Sequence, residues 1–217
     1  RGQLRRSLHS KPGNLYVTFR LPGDLNTEAG ALRTGYLLYK ALGALGVAVD
    51  VKWPNDLIQD GRKVGGILLE ERGGAVMAGV GLNLGHAPEM PDLKAEGNRA
   101  RPFPAGALRA GTSPLNARPP AVLNVWLELV KQITLSYEQE ISRLPPARRP
   151  ALLESCLAFK GLEVAVSEPG FADSGSPSSE HSLSGVINGL GPRGELRLLL
   201  SSGQERLLHS GTLSLAK

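Results

Sequence analysis

Three short segments in the first half of this 217-residue chain carry its most informative pattern. The first is Lys52-Trp53-Pro54-Asn55-Asp56, the second is Lys63-Val64-Gly65-Gly66-Ile67, and the third is Gly79-Val80-Gly81-Leu82-Asn83. They place a carboxylate, two lysines, two carboxamides and four glycines on about thirty residues of strand-like sequence. Cationic groups beside backbone without side chains suit an anionic, phosphate-bearing ligand that lies against a sheet.

The dipeptide Asp60-Gly61 predicts a hairpin turn between the first two segments. With two turn residues, Ile58 pairs with Lys63 and Asp56 pairs with Gly65. Asp56 and Lys63 are then diagonal neighbours on one face, at roughly 7–8 Å between Cα atoms. This geometry predicts an acid–base pair beside a spot that Gly65 leaves empty. An ordinary exposed ion pair, which stabilises little, would show the same spacing.

The third segment predicts a strand whose Gly79, Gly81 and Asn83 share one face. Glycine inside a strand marks either a bulge or the close approach of another group, and both interpretations stay open here. Asn83 would offer amide hydrogen bonds on the glycine face. Trp53 follows an alternating valine series, which favours a core position over stacking on a base.

The remaining pattern predicts an α+β protein with a mixed sheet and flanking helices over residues 1–158. The expected elements are strands over 15–21, 47–53, 63–71 and 75–84, and helices from Asp24 or Asn26 to Leu45, over 121–142 and over 151–159. The face expected to be buried on the second helix comprises Val122, Trp126, Leu129, Ile133 and Tyr137. Residues 85–120 are rich in proline, glycine and alanine, and predict a long surface connection.

The pattern changes near Gly161, which predicts a second unit over residues 159–217. Five short strands are expected, over 162–166, 185–188, 195–200, 205–209 and 211–216. Their length and their glycine, proline and serine punctuation are typical of a small β-barrel. The Ser/Gly-rich stretch 168–180 is expected to be a loop.

The composition of the chain disfavours membrane-spanning and DNA-binding proteins and metal sites. The chain is 41% hydrophobic and 21% charged with net charge +5, so a packed core is expected. We expect no membrane span, because no apolar run has the necessary length. The arginines form no stripe interleaved with aromatic residues, and therefore DNA binding is not expected. The lone Cys156 fits a reducing cytoplasm, and the four histidines have no metal-ligand spacing.

The three segments resemble, in order and spacing, three consecutive signatures of the biotin protein ligases. Residues 12–16 are similar to the segment that follows the basic ligand-binding loop of that family. The resemblance implies a catalytic domain with a class II synthetase-like fold, followed by an SH3-like domain. It implies an ATP-dependent ligase that forms biotinyl-5′-AMP and transfers biotin to a lysine of a biotin carboxyl carrier domain. It also implies Mg²⁺ bound with ATP rather than held in a protein cage, and it leaves a homodimer open.

The resemblance also implies roles for individual residues. Lys63 would contact the biotin carboxylate and the α-phosphate, and Asp56 would orient the attacking amine and accept its proton. The other positions fall into two groups: biotin binding by Arg1, Gly2, Gln3, Gly79 and Gly81, and nucleotide binding by Lys52, Asn55, Asn83 and Arg6.

The basic loop departs from the family pattern. The family carries arginines where this chain has Gln3 and Leu4, so weaker retention of an adenylate is expected. The family segments upstream of this loop are absent from the sequence, which begins at Arg1. These departures leave three alternatives: a weakened homologue that binds biotin or its adenylate, a related lipoate or acyl ligase, and a biotin-responsive repressor with a DNA-binding domain before Arg1.

Overall fold

The computed structural model describes residues 12–25, 29–88, 103–109, 122–167 and 182–215. It is an α+β structure with two five-stranded antiparallel sheets and three α-helices among these residues. The α+β prediction is therefore confirmed. In the part of the chain described, no helix is long and apolar enough to cross a membrane.

The first sheet carries the segments 52–56, 63–67 and 79–83. Its strands are β1 (Leu15–Arg20), β2 (Asp50–Lys52), β3 (Asp56–Gln59), β4 (Arg62–Arg72) and β5 (Ala75–Leu82). Their order in the sheet is β1-β5-β4-β3-β2, and every strand pair is antiparallel. The prediction of a mixed sheet is wrong for these pairs, because parallel pairing among the described residues is confined to two isolated bridges.

Hairpin turns account for this antiparallel meander. Asp60 and Gly61 have φ of 50° and 69°, the left-handed pair that a two-residue turn between β3 and β4 requires. The predicted Asp-Gly turn is confirmed. The strand expected over 47–53 is shorter, since pairing begins only at Asp50, although Val47 and Val49 are buried as the alternation predicts.

The described residues contain three helices, α1 (Gly30–Ala44), α2 (Val122–Ser136) and α3 (Arg149–Glu154). Helix α1 contacts β2 and β4 of the first sheet, and α2 packs on α1. The predicted caps of α1 are wrong, because Ala29 is its N-cap and no side chain caps it. Asn26 lies outside the described residues. Gly46 follows the C-cap with φ of 77°, as a helix-ending glycine should.

The other two helices differ from expectation in detail. In α2, Leu129 is buried as predicted, but Val125 joins it, and the other four predicted positions are half-buried. A π-helical turn over Tyr137–Ile141 continues α2 and buries Ile141. Helix α3 ends at Glu154 rather than near 159, because Leu157 forms a parallel bridge with Val51.

The second sheet contains the five strands expected after Gly161. They are β6 (Glu163–Ser167), β7 (Ser182–Leu190), β8 (Leu196–Leu199), β9 (Glu205–Leu208) and β10 (Thr212–Leu215), in the order β10-β6-β7-β8-β9. No pairing joins β9 to β10 among the described residues, so the sheet is not a closed barrel there. Residues 168–181, which contain the predicted loop, lie outside the described part.

The two sheets share one hydrophobic core. Trp53, 2% exposed, donates its indole N–H to the carbonyl of Gly194 across 3.0 Å. Glu154 at the end of α3 accepts a hydrogen bond from the amide of Leu190 at 2.8 Å. The core position predicted for Trp53 is confirmed, and the indole links the first sheet to the turn between β7 and β8.

Candidate functional site

A β-bulge sets the geometry of the site. Ile58 pairs with Lys63 as predicted, but the register shifts between Leu57 and Ile58, so that Asp56 pairs with Gly66. The predicted pairing of Asp56 with Gly65 is therefore wrong. The extra residue in β4 turns Gly65 toward the core, where a Cβ would lie 2.8 Å from the Gly81 carbonyl oxygen.

Gly66 occupies the position that the sequence assigned to Gly65. A Cβ on Gly66 would lie 3.6 Å from both Asp56 Oδ1 and Lys63 Nζ. Across the face of the first sheet, register partners follow one another from β2 to β1 in the order Lys52, Asp56, Gly66, Gly81 and Tyr16. The row has charged groups at one end, a phenol at the other and no side chain between them.

We call the bare surface formed by Gly66, Gly79 and Gly81 the glycine shelf. Ordinary van der Waals distances separate a Cβ at Gly81 from the Tyr16 ring (3.5 Å) and a Cβ at Gly79 from its nearest neighbours (3.6–3.9 Å). Each glycine has room for a methyl group, and the fold itself does not demand glycine at these three positions. A ligand that needs close approach to the backbone is a physical reason for glycine here.

Asp56 lies between two lysines. Its Oδ2 is 2.9 Å from Lys52 Nζ, and its Oδ1 is 2.5 Å from Lys63 Nζ. The Lys52 side chain is only 6% exposed, whereas that of Lys63 is 45% exposed and reaches the solvent side of the shelf. Two ammonium groups and one carboxylate leave a net positive charge, which favours an anionic ligand beside Lys63.

The environment of Asp56 keeps its carboxyl ionised. Burial raises the pKa of Asp56, but the charges and hydrogen bonds of Lys52 and Lys63 outweigh burial and lower the pKa below its usual range. A carboxylate with a lowered pKa is a weak proton acceptor and a good electrostatic anchor. The arrangement therefore favours orientation of a cationic or amine group over proton abstraction.

Asn55 and Asn83 brace the backbone around the site. Asn55 Nδ2 donates to the Ile67 carbonyl at 2.8 Å, and the Asn55 carbonyl accepts the Ile67 amide. Asn83 Nδ2 donates to the Gly106 carbonyl at 2.8 Å. Both side-chain amides thus donate hydrogen bonds to the protein itself. Nucleotide binding by Asn55 and Asn83 stays a prediction.

Residues 103–109 form a strap along β4. The Lys63 amide donates to the Pro104 carbonyl and the Gly106 amide donates to the Lys63 carbonyl, both at 2.8 Å. The Phe103 ring lies over Lys52, with the ammonium nitrogen 5.5 Å from the ring centroid. The sequence predicted only a surface connection here, since its proline- and glycine-rich composition carries no pairing signal.

Arg1, Gly2, Gln3 and Arg6 lie outside the described residues, so their biotin and nucleotide roles stay predictions. Cys156 is 3% exposed, and burial, with a contribution from Asp50, raises the pKa of its thiol to about 12. This burial confirms the interpretation of Cys156 as a small buried group.

Two residues at the site have no role in the sequence-based predictions. Tyr16 bounds the shelf, and Asn14 accepts hydrogen bonds from the amides of Gly85 and His86 at 3.0 and 3.1 Å. Asn14 thereby joins the start of β1 to the chain that follows β5. The alternation in residues 15–20 could have placed Tyr16 on the glycine face, but only the register shows that it lies beside Gly81.

Comparison with known proteins finds similarity to the same family over part of the chain. Residues 1–86 match the model of the Biotin/lipoate A/B protein ligase family. The chain is 38% identical over 105 residues to the Biotin--[acetyl-CoA-carboxylase] ligase of Paracoccus denitrificans, an alignment covering 42% of this chain and 38% of that protein. It is 32% identical over 103 residues to the Bifunctional ligase/repressor BirA of Bacillus subtilis, covering 42% of this chain and 32% of that protein.

The resemblance to the biotin protein ligases is confirmed. The aligned part spans about a third of the length of the curated relatives. The biotin protein ligase from Aquifex aeolicus in complex with biotin and ATP has a similar fold, with a TM-score of 0.69, 22% identity, and coverage of 100% of this chain and 84% of that one. A biotin protein ligase-like protein of unknown function from Silicibacter shares the fold at a TM-score of 0.54 and 18% identity, covering 90% and 78% of the chains.

Proposed function

We propose that the chain is an ATP-dependent biotin protein ligase acting on a biotin carboxyl carrier domain. The observation that carries this proposal is the row of Asp56, Gly66 and Gly81, with the exposed Lys63 ammonium at its charged end. A bicyclic ring can lie on the glycine shelf while its carboxylate meets Lys63. The name of the Paracoccus relative and the biotin and ATP in the Aquifex complex support the choice of ligand class.

The first step joins the carboxylate to the nucleotide. A biotin carboxylate oxygen attacks the α-phosphorus of ATP, the bond to the β-phosphate oxygen breaks, and pyrophosphate leaves. Lys63 stabilises the negative charge that gathers where the carboxylate and the phosphate meet. It suits that role because its side chain is 45% exposed and anchored by Asp56.

The second step transfers the acyl group. The amine nitrogen of a carrier lysine attacks the acyl carbon of biotinyl-5′-AMP, AMP leaves, and the nitrogen loses a proton. We assign Asp56 the orientation of that amine, because its lowered pKa makes it a poor proton acceptor. Proton acceptance by Asp56, which the resemblance also implies, stays a prediction.

The surroundings of Asp56 do not suit a resident Mg²⁺. In the described part of the chain, no cluster of three His, Cys, Asp or Glu side chains could hold a metal, and both Asp56 oxygens already face ammonium groups. A magnesium ion bound to the phosphates of ATP is the arrangement we propose, with Lys63 contacting the same phosphates.

Two further parts of the proposal concern the rest of the chain. Residues 159–217 would form an SH3-like domain, supported by the five-strand order of the second sheet. A cytoplasmic location is supported by the single buried free thiol, Cys156.

The test of substrate class is a transfer assay with purified acceptors. The chain, ATP and Mg²⁺ are incubated with biotin or lipoate and with a biotin carboxyl carrier domain or a lipoyl domain, and the acceptors are weighed by mass spectrometry. We expect biotin on the carrier lysine only. Lipoate on the lipoyl domain would favour the lipoate alternative, which the name of the matched family model includes. Bound biotin without transfer would favour the binding homologue.

A further inference from the structure

The ammonium group of Lys52 lies between a carboxylate and an aromatic ring. Lys52 Nζ is 2.9 Å from Asp56 Oδ2 on one side and 5.5 Å from the centroid of Phe103 on the other. This separation is within the range of a cation–π interaction, which strengthens when the cation is shielded from water. With 6% of the Lys52 side chain exposed, the ring is one of the groups that shield it.

Other contacts hold the Phe103 ring in place. It stacks on Phe159 with ring centroids 5.0 Å apart and an interplanar angle of 21°. The residue after it, Pro104, accepts the amide of Lys63, and Gly106 donates to the carbonyl of the same lysine. The backbone that positions the ring over Lys52 is therefore bonded directly to Lys63.

We propose that Phe103 is a positioning residue: its ring holds the buried Lys52 against Asp56, and so fixes the carboxylate that the transfer step uses. The effect on turnover rests on the proposed function, whereas the effect on the ionisation of Asp56 follows from the contacts alone. The charged groups that face Asp56 in the described part of the chain are Lys52 from β2 and Lys63 from β4. The Lys63 side chain is 45% exposed and that of Lys52 only 6%, so Lys52 is the more shielded partner of Asp56.

Loss of the Phe103 ring is expected to change the pKa of Asp56. Phe103→Leu keeps apolar bulk but removes the face that attracts the ammonium. Lys52 Nζ then spends less time at Asp56 Oδ2, and the pKa of Asp56 rises toward its ordinary value. Phe103→Trp restores an aromatic face, and tryptophan is the strongest cation–π partner.

The direct test is a titration of the Asp56 carboxyl carbon by NMR in the full chain, which needs no enzymatic activity. We expect Phe103→Leu to move the Asp56 pKa upward and Phe103→Trp to return it toward the parent value. Phe19→Leu is the matched control, because Phe19 also pairs with an aromatic ring, that of Trp126 at 5.9 Å, whereas the cation–π contact found among the described residues is that of Lys52 with Phe103. If Phe103→Leu fails to fold, Phe103→Met keeps an unbranched apolar side chain for the same measurement. An unmoved Asp56 pKa in the folded variant would overturn the proposal.

A kinetic test separates this inference from the proposed function. Transfer from preformed biotinyl-5′-AMP to a carrier domain is measured in single turnover across pH. We expect Phe103→Leu to slow transfer by roughly three- to thirtyfold at the acid end, with smaller loss near neutral pH, and Phe103→Trp to recover it. Equal loss at every pH that Phe103→Trp does not rescue would mean a general packing defect and contradict the proposal. If the parent chain transfers nothing, the proposed function fails, and the carboxyl titration still decides the role of Phe103.

Discussion

Gly66 and Gly81 are register partners on β4 and β5, and both leave the same face of the sheet bare beside the Asp56–Lys63 pair. A methyl group fits at each position in the free protein, with nearest neighbours at 3.5 Å. We therefore expect Gly66→Ala and Gly81→Ala to fold normally and to bind biotin about 5- to 150-fold more weakly, since a methyl on the shelf overpacks the ligand by about 1–3 kcal/mol. Isothermal titration calorimetry with biotin measures the effect.

Gly65→Ala is the contrasting variant on the opposite face. Its Cβ would lie 2.8 Å from the Gly81 carbonyl oxygen and from Leu82 Cδ2, so we expect a loss of about 1–3 kcal/mol in the free energy of unfolding. Gly43→Ala in α1 meets no atom within 4 Å and is the control without a clash, and helix propensity should make it slightly stabilising. Unchanged biotin binding by both Gly66→Ala and Gly81→Ala would show that the shelf does not receive the ligand.

Asp56→Asn is expected to destabilise the fold, because it leaves the buried Lys52 without its counter-charge. The loss at pH 7 should be about 3–5 kcal/mol, the usual cost of breaking a buried pair. The folded-state pKa of Asp56 is lowered, so its contribution is present above the ordinary aspartate pKa and is lost as pH falls through the folded-state value. The free energies of unfolding of parent and variant, measured in urea, should therefore converge as pH is lowered.

Two controls belong to that experiment. Glu205→Gln removes an exposed carboxylate that pairs with Arg197 on the second sheet, and we expect little loss of stability at any pH. The free energies of unfolding of parent and Asp56→Asn could instead differ by a constant amount down to the pH at which the parent unfolds. That result would contradict the role of Asp56 as the ionised partner of the two lysines.

The sequence predicted most of the first sheet and the pairing of Asp56 with Lys63, but not the register at Asp56. The Asp60-Gly61 turn defined the hairpin, yet a bulge two residues away depends on how Val64 and Gly65 pack into the core, which periodicity does not encode. The strap was missed for a related reason. Phe103 reaches Lys52 through tertiary contacts made by a segment whose local sequence resembles loop.

Trp53 provides a test of how far residues 1–158 and 159–217 are separate units. Its indole N–H bonds to the Gly194 carbonyl, so Trp53→Phe in the full chain is expected to cost about 1 kcal/mol in free energy of unfolding. A chain ending at Phe159 should stay soluble, and within it the same substitution should cost less, because the partner carbonyl is gone. Insolubility of the shortened chain would contradict the two-unit prediction.

The basic loop, residues 1–10, lies outside the described residues and yields a separate prediction. Because Gln3 and Leu4 stand where the family has arginines, Gln3→Arg combined with Leu4→Arg should slow release of biotinyl-5′-AMP by roughly tenfold or more, as charge-assisted bonds to the adenylate form. A stopped-flow chase of labelled adenylate measures the rate. An unchanged release rate would mean that these positions do not hold the intermediate.

Biotin-dependent exchange of pyrophosphate into ATP isolates the role proposed for Lys63, because it reports adenylate formation without any acceptor. We expect exchange by the parent chain and a loss of at least about a hundredfold in Lys63→Ala, with the circular dichroism spectrum and melting temperature preserved. Lys131→Ala on α2 is the control, since that lysine is 64% exposed and pairs with Glu128 far from the shelf in sequence. Parental exchange by folded Lys63→Ala would contradict the assignment of the site.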